Sequence, residues 1–121
     1  MDATQAETAI RFLSWQFGVQ APKVRFNGRK GSGHYKRHGV LCLAKRVEPW
    51  LVAHEFTHHL DRCLNFNPRT YWREWHSESF YFNLRRVISA LAIRDYPWAT
   101  EYKQLARWAR RDGLIPKEPT R

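Results

Sequence analysis

Residues 47–64, VEPWLVAHEFTHHLDRCL, determine how the rest of this chain is interpreted. Pro49 suits the first turn of a helix, and a helix is predicted from there to the end of the segment. This helix contains His54-Glu55-Phe56-Thr57-His58, an HExxH motif. Because residues four apart lie on one face of a helix, His54 and His58 can present two imidazoles to one metal ion.

The residues of the motif match the chemistry of zinc-dependent hydrolysis. Zn²⁺ binds neutral histidine nitrogen and, in catalytic sites, lowers the pKa of its bound water to about 7. Glu55 lies beside the two histidines and can take a proton as that water attacks a carbonyl carbon. The sequence therefore predicts a zinc-dependent metallopeptidase that acts through a zinc-bound water, with Glu55 as general base. The alternative is an exposed helix face that happens to carry two histidines.

A catalytic zinc site needs a third protein ligand. Asp61 is a candidate within the same helix, and further along the chain the candidates are His76 and Glu78. They are two residues apart on a predicted third helix that ends near Ala92, so only one of them can point at the metal. Glu78 lies twenty residues after His58, a spacing typical of thermolysin-like enzymes. His76 begins an apolar stripe at helical spacing, whose members are Phe80, Leu84, Val87 and Leu91. Periodicity favours His76, and Glu78 stays open.

The other segments predict a small α+β domain. A capping box at Thr4–Glu7 begins a first helix, which ends at Gly18. Short strands are predicted at 24–26, 34–36 and 40–43, the last two flanking a turn at His38-Gly39. A fourth helix is predicted between Pro97 and Arg111. All 121 residues are predicted to form one domain, with a short antiparallel sheet and four helices.

Four segments together resemble the minimal zincins of the SprT-like (Spartan) and WLM type. They are Gly33-His34-Tyr35, Val40-Leu41-Cys42-Leu43, His54-Glu55-Phe56-Thr57-His58 and His76-Ser77-Glu78-Ser79-Phe80. Those families have an edge strand, an HExxH helix and a third histidine in an HxxxF pattern, which His76 and Phe80 match. The resemblance covers roughly residues 24–90. It implies a zincin-like fold in which His54, His58 and His76 bind zinc and Glu55 is the base.

Other polar residues have assignments with alternatives. Asp61 shares a helix face with His54 and His58, where it can orient a ligand imidazole or form a surface ion pair. His59 points about 100° away from His58 and is interpreted as a packing or partly exposed histidine rather than a ligand. The candidates for stabilising an oxyanion, among which the sequence does not choose, are Tyr35, Tyr71, Tyr81 and Arg85.

The chain is strongly basic, with a net charge of +10 and a pI near 10.2. This charge predicts attraction to polyanions, and nucleic-acid binding through phosphates should be salt-sensitive. One cluster lies on the predicted fourth helix: Lys103, Arg107, Arg110 and Arg111. A second lies around the sheet: Lys23, Arg25, Arg29, Lys30, Lys36 and Arg37. Two alternatives are a non-catalytic nucleic-acid-binding protein with a zincin-like fold and a peptidase whose charge recruits acidic protein substrates.

The sequence predicts a cytoplasmic protein with no membrane partner. No apolar run approaches the length of a membrane span, and the first residues lack the layout of a signal peptide. The two cysteines, Cys42 and Cys63, form neither a CxxC pair nor a disulfide framework. Free thiols are therefore expected, with a single Cys42–Cys63 bridge as the alternative.

Overall fold

The computed structural model describes residues 1–27, 33–36, 39–64, 77–92 and Arg107. Its elements, in chain order, are α1 (Ala3–Phe17), β1 (Lys23–Arg25), β2 (Gly33–Lys36), β3 (Val40–Leu43), α2 (Pro49–Leu64) and α3 (Glu78–Ala92). The predicted α+β class is confirmed. The predicted fourth helix lies outside the described residues, except for Arg107, which is helical.

Helix α1 begins earlier than the sequence suggested. Asp2 is its N-cap: the Asp2 side chain accepts a hydrogen bond from the Gln5 amide at 2.8 Å, and the Gln5 side chain accepts one from the Asp2 amide at 2.9 Å. The capping box predicted at Thr4 is therefore wrong, since the Thr4 carbonyl already accepts the hydroxyl of Thr8 inside the helix. Gly18 ends the helix in the left-handed conformation, with φ of 65°, as predicted.

The sheet has three strands in the order β1–β3–β2. Strands β2 and β3 pair antiparallel, as predicted, with Tyr35 opposite Leu41. Strand β1 pairs with the other side of β3 in parallel, with Val24 opposite Leu41. The sheet is therefore mixed, and the antiparallel prediction applies to the β2–β3 hairpin alone.

Helix α2 is the central element, because it packs against β2 and β3 as well as against α1 and α3. The predicted inward stripe of α3 is confirmed, since its four apolar members, Phe80, Leu84, Val87 and Leu91, are buried. The opposite face of α3 is solvent-exposed at Phe82, Arg85 and Ser89. Each large apolar side chain buried in this core stabilises the fold by roughly 1.5–3 kcal/mol. This packing encloses the segment that carries the HExxH motif.

Both cysteines are free, with Cys42 buried and Cys63 exposed, as expected for thiols that do not form a bridge. In the described parts of the chain, the helices are too short or too polar to cross a membrane.

Candidate metal centre

Ten consecutive residues of α2, Leu51–Leu60, are buried between the sheet and the other helices. The exposed fractions of His54, Glu55 and His58 are 7%, 2% and 7%. The alternative of an exposed face that carries two histidines is therefore wrong. Burying polar side chains costs free energy unless hydrogen bonds, ion pairs or metal coordination compensate. A bound metal ion would offset this cost for the side chains of the motif.

The side chains of His54, Glu55 and His58 converge. Their ligand atoms lie within 4.8 Å of one another, and this group can hold a metal ion. Nε2 of His54 is 3.9 Å from Oε1 of Glu55. Two imidazole nitrogens on one tetrahedral zinc ion lie roughly 3.4 Å apart, so small side-chain rotations bring the group to coordination distance. Imidazole nitrogen is a donor that Zn²⁺ and other transition metals accept, whereas Mg²⁺ and Ca²⁺ prefer oxygen donors.

An aromatic frame holds the two imidazoles. The ring centroid of Phe80 is 5.2 Å from that of His54 and 4.5 Å from that of His58. The imidazoles are 5.0 Å apart and nearly perpendicular, at 78°. Trp50, one turn before His54, adds an edge contact at 6.4 Å. Sequence periodicity identified Phe80 as a core residue, and the structure adds that its ring contacts both histidines.

Strand β2 lies directly against Glu55. A Cβ atom at Gly33 would stand 3.3 Å from Cγ of Glu55, 3.3 Å from Cδ2 of Leu51 and 3.1 Å from Cδ2 of Leu43. These distances are shorter than most carbon–carbon contacts, so a side chain at position 33 would displace its neighbours. Gly33 therefore allows the hairpin to approach the motif. A glycine inside a strand is the sequence signal for such an approach, although it does not say what is approached.

His59 points away from the metal group and is bonded on both ring nitrogens. Its Nε2 is 2.6 Å from the carbonyl oxygen of Gln20, and its Nδ1 is 3.0 Å from the hydroxyl of Tyr35. A carbonyl can only accept, so Nε2 carries the proton and Nδ1 accepts from Tyr35. Nη1 of Arg62 donates to the Tyr35 oxygen at 3.3 Å. His59 is thus a buried packing residue, one of the two roles that the sequence suggested.

Burial lowers the pKa of His59 below its usual value. The hydrogen bond to the Gln20 carbonyl opposes this shift, and the positive charge of Arg62 adds to it. In the neutral ring, Nε2 donates to the Gln20 carbonyl and Nδ1 accepts from the Tyr35 hydroxyl. The Tyr35 hydroxyl, an oxyanion candidate in the sequence, is here bonded to His59 and Arg62.

Asp61 connects α2 to α3. Its Oδ1 accepts a hydrogen bond from the Ser79 hydroxyl at 3.0 Å and one from the Asn83 amide at 3.2 Å. Asp61 therefore ties α2 to α3, and the two roles suggested by the sequence, orienting a ligand imidazole or forming a surface ion pair, stay predictions. Of the remaining oxyanion candidates, Tyr81 is buried, Arg85 is exposed, and Tyr71 lies outside the described residues.

The third-ligand candidates differ in position. Glu78 is exposed, in a groove that Leu64, Phe82 and Arg86 also line. It does not belong to the metal-binding group formed by the described residues. Ser77 caps α3, because its hydroxyl accepts a hydrogen bond from the Phe80 amide at 3.1 Å. Helix α3 begins at Glu78, and His76 lies outside the described residues, so its assignment as third ligand stays a prediction.

Comparison with known proteins returned no relative: no protein-family model, no curated protein and no solved structure matches the chain.

Proposed function

We propose that this protein is a zinc-dependent metallopeptidase in which His54 and His58 bind the metal and Glu55 is the general base. The observation that carries the proposal is a buried carboxylate within 4.8 Å of the ligand atoms of two buried imidazoles. When bound, zinc supplies Lewis acidity and lowers the pKa of water. A purely structural zinc site needs no carboxylate placed as a base, so Glu55 favours hydrolysis over a structural role.

In this proposal Glu55 takes a proton from the attacking water and returns it to the leaving amine. Its side chain is held between the His54 ring and strand β2 at Gly33. The enclosure restricts the carboxylate to few rotamers, which is what a general base needs in order to meet a water in a defined position.

The position of β2 supports peptides as the substrate class. Among the described strands, β2 is at one edge of the sheet, and Gly33 of this strand contacts Glu55. An extended peptide can pair with an exposed edge through main-chain hydrogen bonds, which give affinity independent of side chains. Such pairing would place a peptide bond beside the base. The third ligand is proposed to be His76, in keeping with the SprT-like pattern.

Substitution of Glu55→Gln tests the proposal. Glutamine keeps the size of the side chain, and the Glu55 carboxylate is not one of the proposed ligands. Zinc content, measured by plasma mass spectrometry, should therefore stay near that of the wild type. Cleavage of unfolded casein should fall by about 10²–10⁴-fold. Glu7→Gln, on the exposed face of α1, is the matched control and should leave both quantities unchanged. Cleavage by Glu55→Gln within a few-fold of the wild type would remove Glu55 from this role.

Nucleic-acid binding is a second candidate, favoured by the outer face of the sheet. Residues paired across strands share a face, and so do alternate residues along a strand. Lys23, Arg25 and His34 therefore lie on the face of Cys42, opposite to the face of Leu41. All three are exposed, and they are the polar side chains described on that face. They offer a basic surface to phosphates on the side of the sheet away from α2.

A charge reversal on this face tests the second candidate. Lys23→Glu with Arg25→Glu should weaken binding to a mixed-sequence oligonucleotide and reduce its dependence on salt. Lys45→Glu with Arg46→Glu, two exposed cations outside the strands, changes the net charge equally and serves as the control. If both double variants weaken binding equally, net charge rather than the sheet face is responsible. Oligonucleotide binding without any peptide cleavage would favour the non-catalytic alternative.

A further inference from the structure

Strand β2 meets α2 at two points. Gly33 and Tyr35 are alternate residues, so both face the same side of the strand. Gly33 lies against Glu55, and the hydroxyl of Tyr35 is hydrogen-bonded to His59. The helix that carries the metal-binding group therefore also anchors the edge strand.

The anchor at Tyr35 has one consistent direction of hydrogen bonding. Arg62 donates to the Tyr35 oxygen, Tyr35 donates to Nδ1 of His59, and His59 donates to the carbonyl of Gln20. Gly39 lies beside this chain of bonds, since a Cβ there would be 3.5 Å from Nη1 of Arg62 and 3.7 Å from the Tyr35 oxygen. A hydroxyl held as donor and acceptor at once has little freedom to move, so the strand is fixed at this residue.

We propose that Tyr35 is a positioning residue, whose hydroxyl sets the placement of β2 on α2 and thereby aligns a peptide paired to β2 with Glu55. The inference rests on the proposed function. The anchor and the contact with Glu55 are two residues apart, about 7 Å along the strand. A movement of β2 at Tyr35 would therefore also shift Gly33 relative to Glu55. Misplacement of reacting groups by 1 Å can cost about 10²-fold in rate, so a small shift of β2 matters.

Tyr35→Phe isolates the hydroxyl. The phenyl ring keeps the edge contact with His59, whose ring centroid is 5.5 Å away at 66°. The substitution removes the hydroxyl and with it the hydrogen bonds to His59 and Arg62. Ser14→Ala is the matched control, because its buried hydroxyl also makes a hydrogen bond, to the Ile10 carbonyl at 2.7 Å, but within α1.

Two hydroxamates separate strand alignment from metal binding. Acetohydroxamic acid can bind the zinc ion but is too short to pair with β2. Tetraalanine hydroxamate can bind the zinc ion and also pair with β2 through its peptide main chain. Calorimetric titration of the zinc-loaded full chain should show that Tyr35→Phe weakens the binding of tetraalanine hydroxamate by about tenfold or more. Acetohydroxamic acid should bind within twofold of the wild type, and Ser14→Ala should leave both affinities unchanged.

Three results would overturn the inference: unchanged affinity for both ligands, an equal loss for both, or an equal effect of Ser14→Ala. Amide hydrogen exchange of residues 33–36 gives a reading that does not depend on zinc. Exchange in Tyr35→Phe should be faster there than in the wild type, and unchanged exchange would refute the anchor. If the wild type binds neither hydroxamate, the proposed function fails, and faster exchange would still support the anchor.

Discussion

His58 and His59 are adjacent in sequence and both buried, yet the structure gives them opposite surroundings. His58 lies one turn after His54 on α2, and the ligand atoms of these two histidines and of Glu55 converge within 4.8 Å. His59 is turned by about 100°, toward the sheet, where its nitrogens meet Tyr35 and the carbonyl of Gln20. The ligand atom of His58 therefore lies close to those of two other side chains, whereas both nitrogens of His59 are hydrogen-bonded within the protein.

The difference shows that residue type does not decide the role of a histidine in this helix. On the metal face, the neighbours of His58 are the rings of His54 and Phe80, which orient an imidazole. On the sheet face, the neighbours of His59 are a hydroxyl and a carbonyl, which fix its tautomer.

The largest expected effect is on metal binding. His58→Ala removes a proposed ligand and should weaken zinc affinity by more than the 10–100-fold typical of residues that merely support a ligand. His59→Ala should stay within a few-fold of the wild type. Competition with a chromophoric chelator measures both. If the two variants lose zinc equally, the two faces are not functionally distinct.

The next effect concerns the aromatic frame, with two phenylalanines of α3 as the matched pair. Phe80→Ala should cost about 3–5 kcal/mol of unfolding free energy, because a fully buried ring is lost. Phe82→Ala should cost less than about 1 kcal/mol of unfolding free energy, because the Phe82 ring is 64% exposed. Its described partner is the Arg86 guanidinium, 5.7 Å from the ring centroid. Urea unfolding of the metal-free protein measures the difference. A Phe80→Ala variant that keeps full zinc affinity would show that the frame does not orient the ligands.

A smaller effect is expected on the sheet face. His59→Ala leaves the Gln20 carbonyl and the Tyr35 hydroxyl to find other partners, which costs about 1–3 kcal/mol of unfolding free energy. The same urea unfolding, compared with the wild type, measures this cost. A variant as stable as the wild type would mean that water replaces His59 without loss.

The smallest expected effect is the dependence of stability on pH. Because burial lowers the pKa of His59 below its usual 6.5, the unfolded chain takes up a proton before the folded protein does. The stability due to neutral His59 is therefore complete above about pH 6.5 and is lost as pH falls through the lowered folded pKa. Metal-free wild type should lose more stability than His59→Gln between pH 7 and pH 5. Equal losses would place this pH dependence elsewhere.

Local patterns predicted the helices well. The bounds of α2 and the inward stripe of α3 follow from periodicity and from Pro49, which are properties of neighbouring residues. The convergence of His54 and His58 follows from their spacing alone. The N-cap of α1 was displaced because Asp2 with Gln5 makes the same motif as the predicted box, two residues earlier.

Local patterns did not predict the strand pairings and hydrogen bonds that join segments far apart in the chain. The parallel pairing of β1 with β3 depends on which strand takes the centre of the sheet, and alternation within a strand does not encode this. The bonds of His59 reach 24 residues to Tyr35 and 39 to Gln20. The single domain of 121 residues and the third ligand at His76 stay predictions.

The enclosure of α2 has a kinetic consequence. With His54, Glu55 and His58 at most 7% exposed, we expect opening of the surrounding structure to limit the rate at which an ion enters or leaves the group. Loss of metal to a strong chelator should then accelerate with chelator concentration only up to a ceiling set by the opening rate. Stabilising the fold would lower that ceiling without altering a single ligand, so retention time and affinity at this centre are separable quantities.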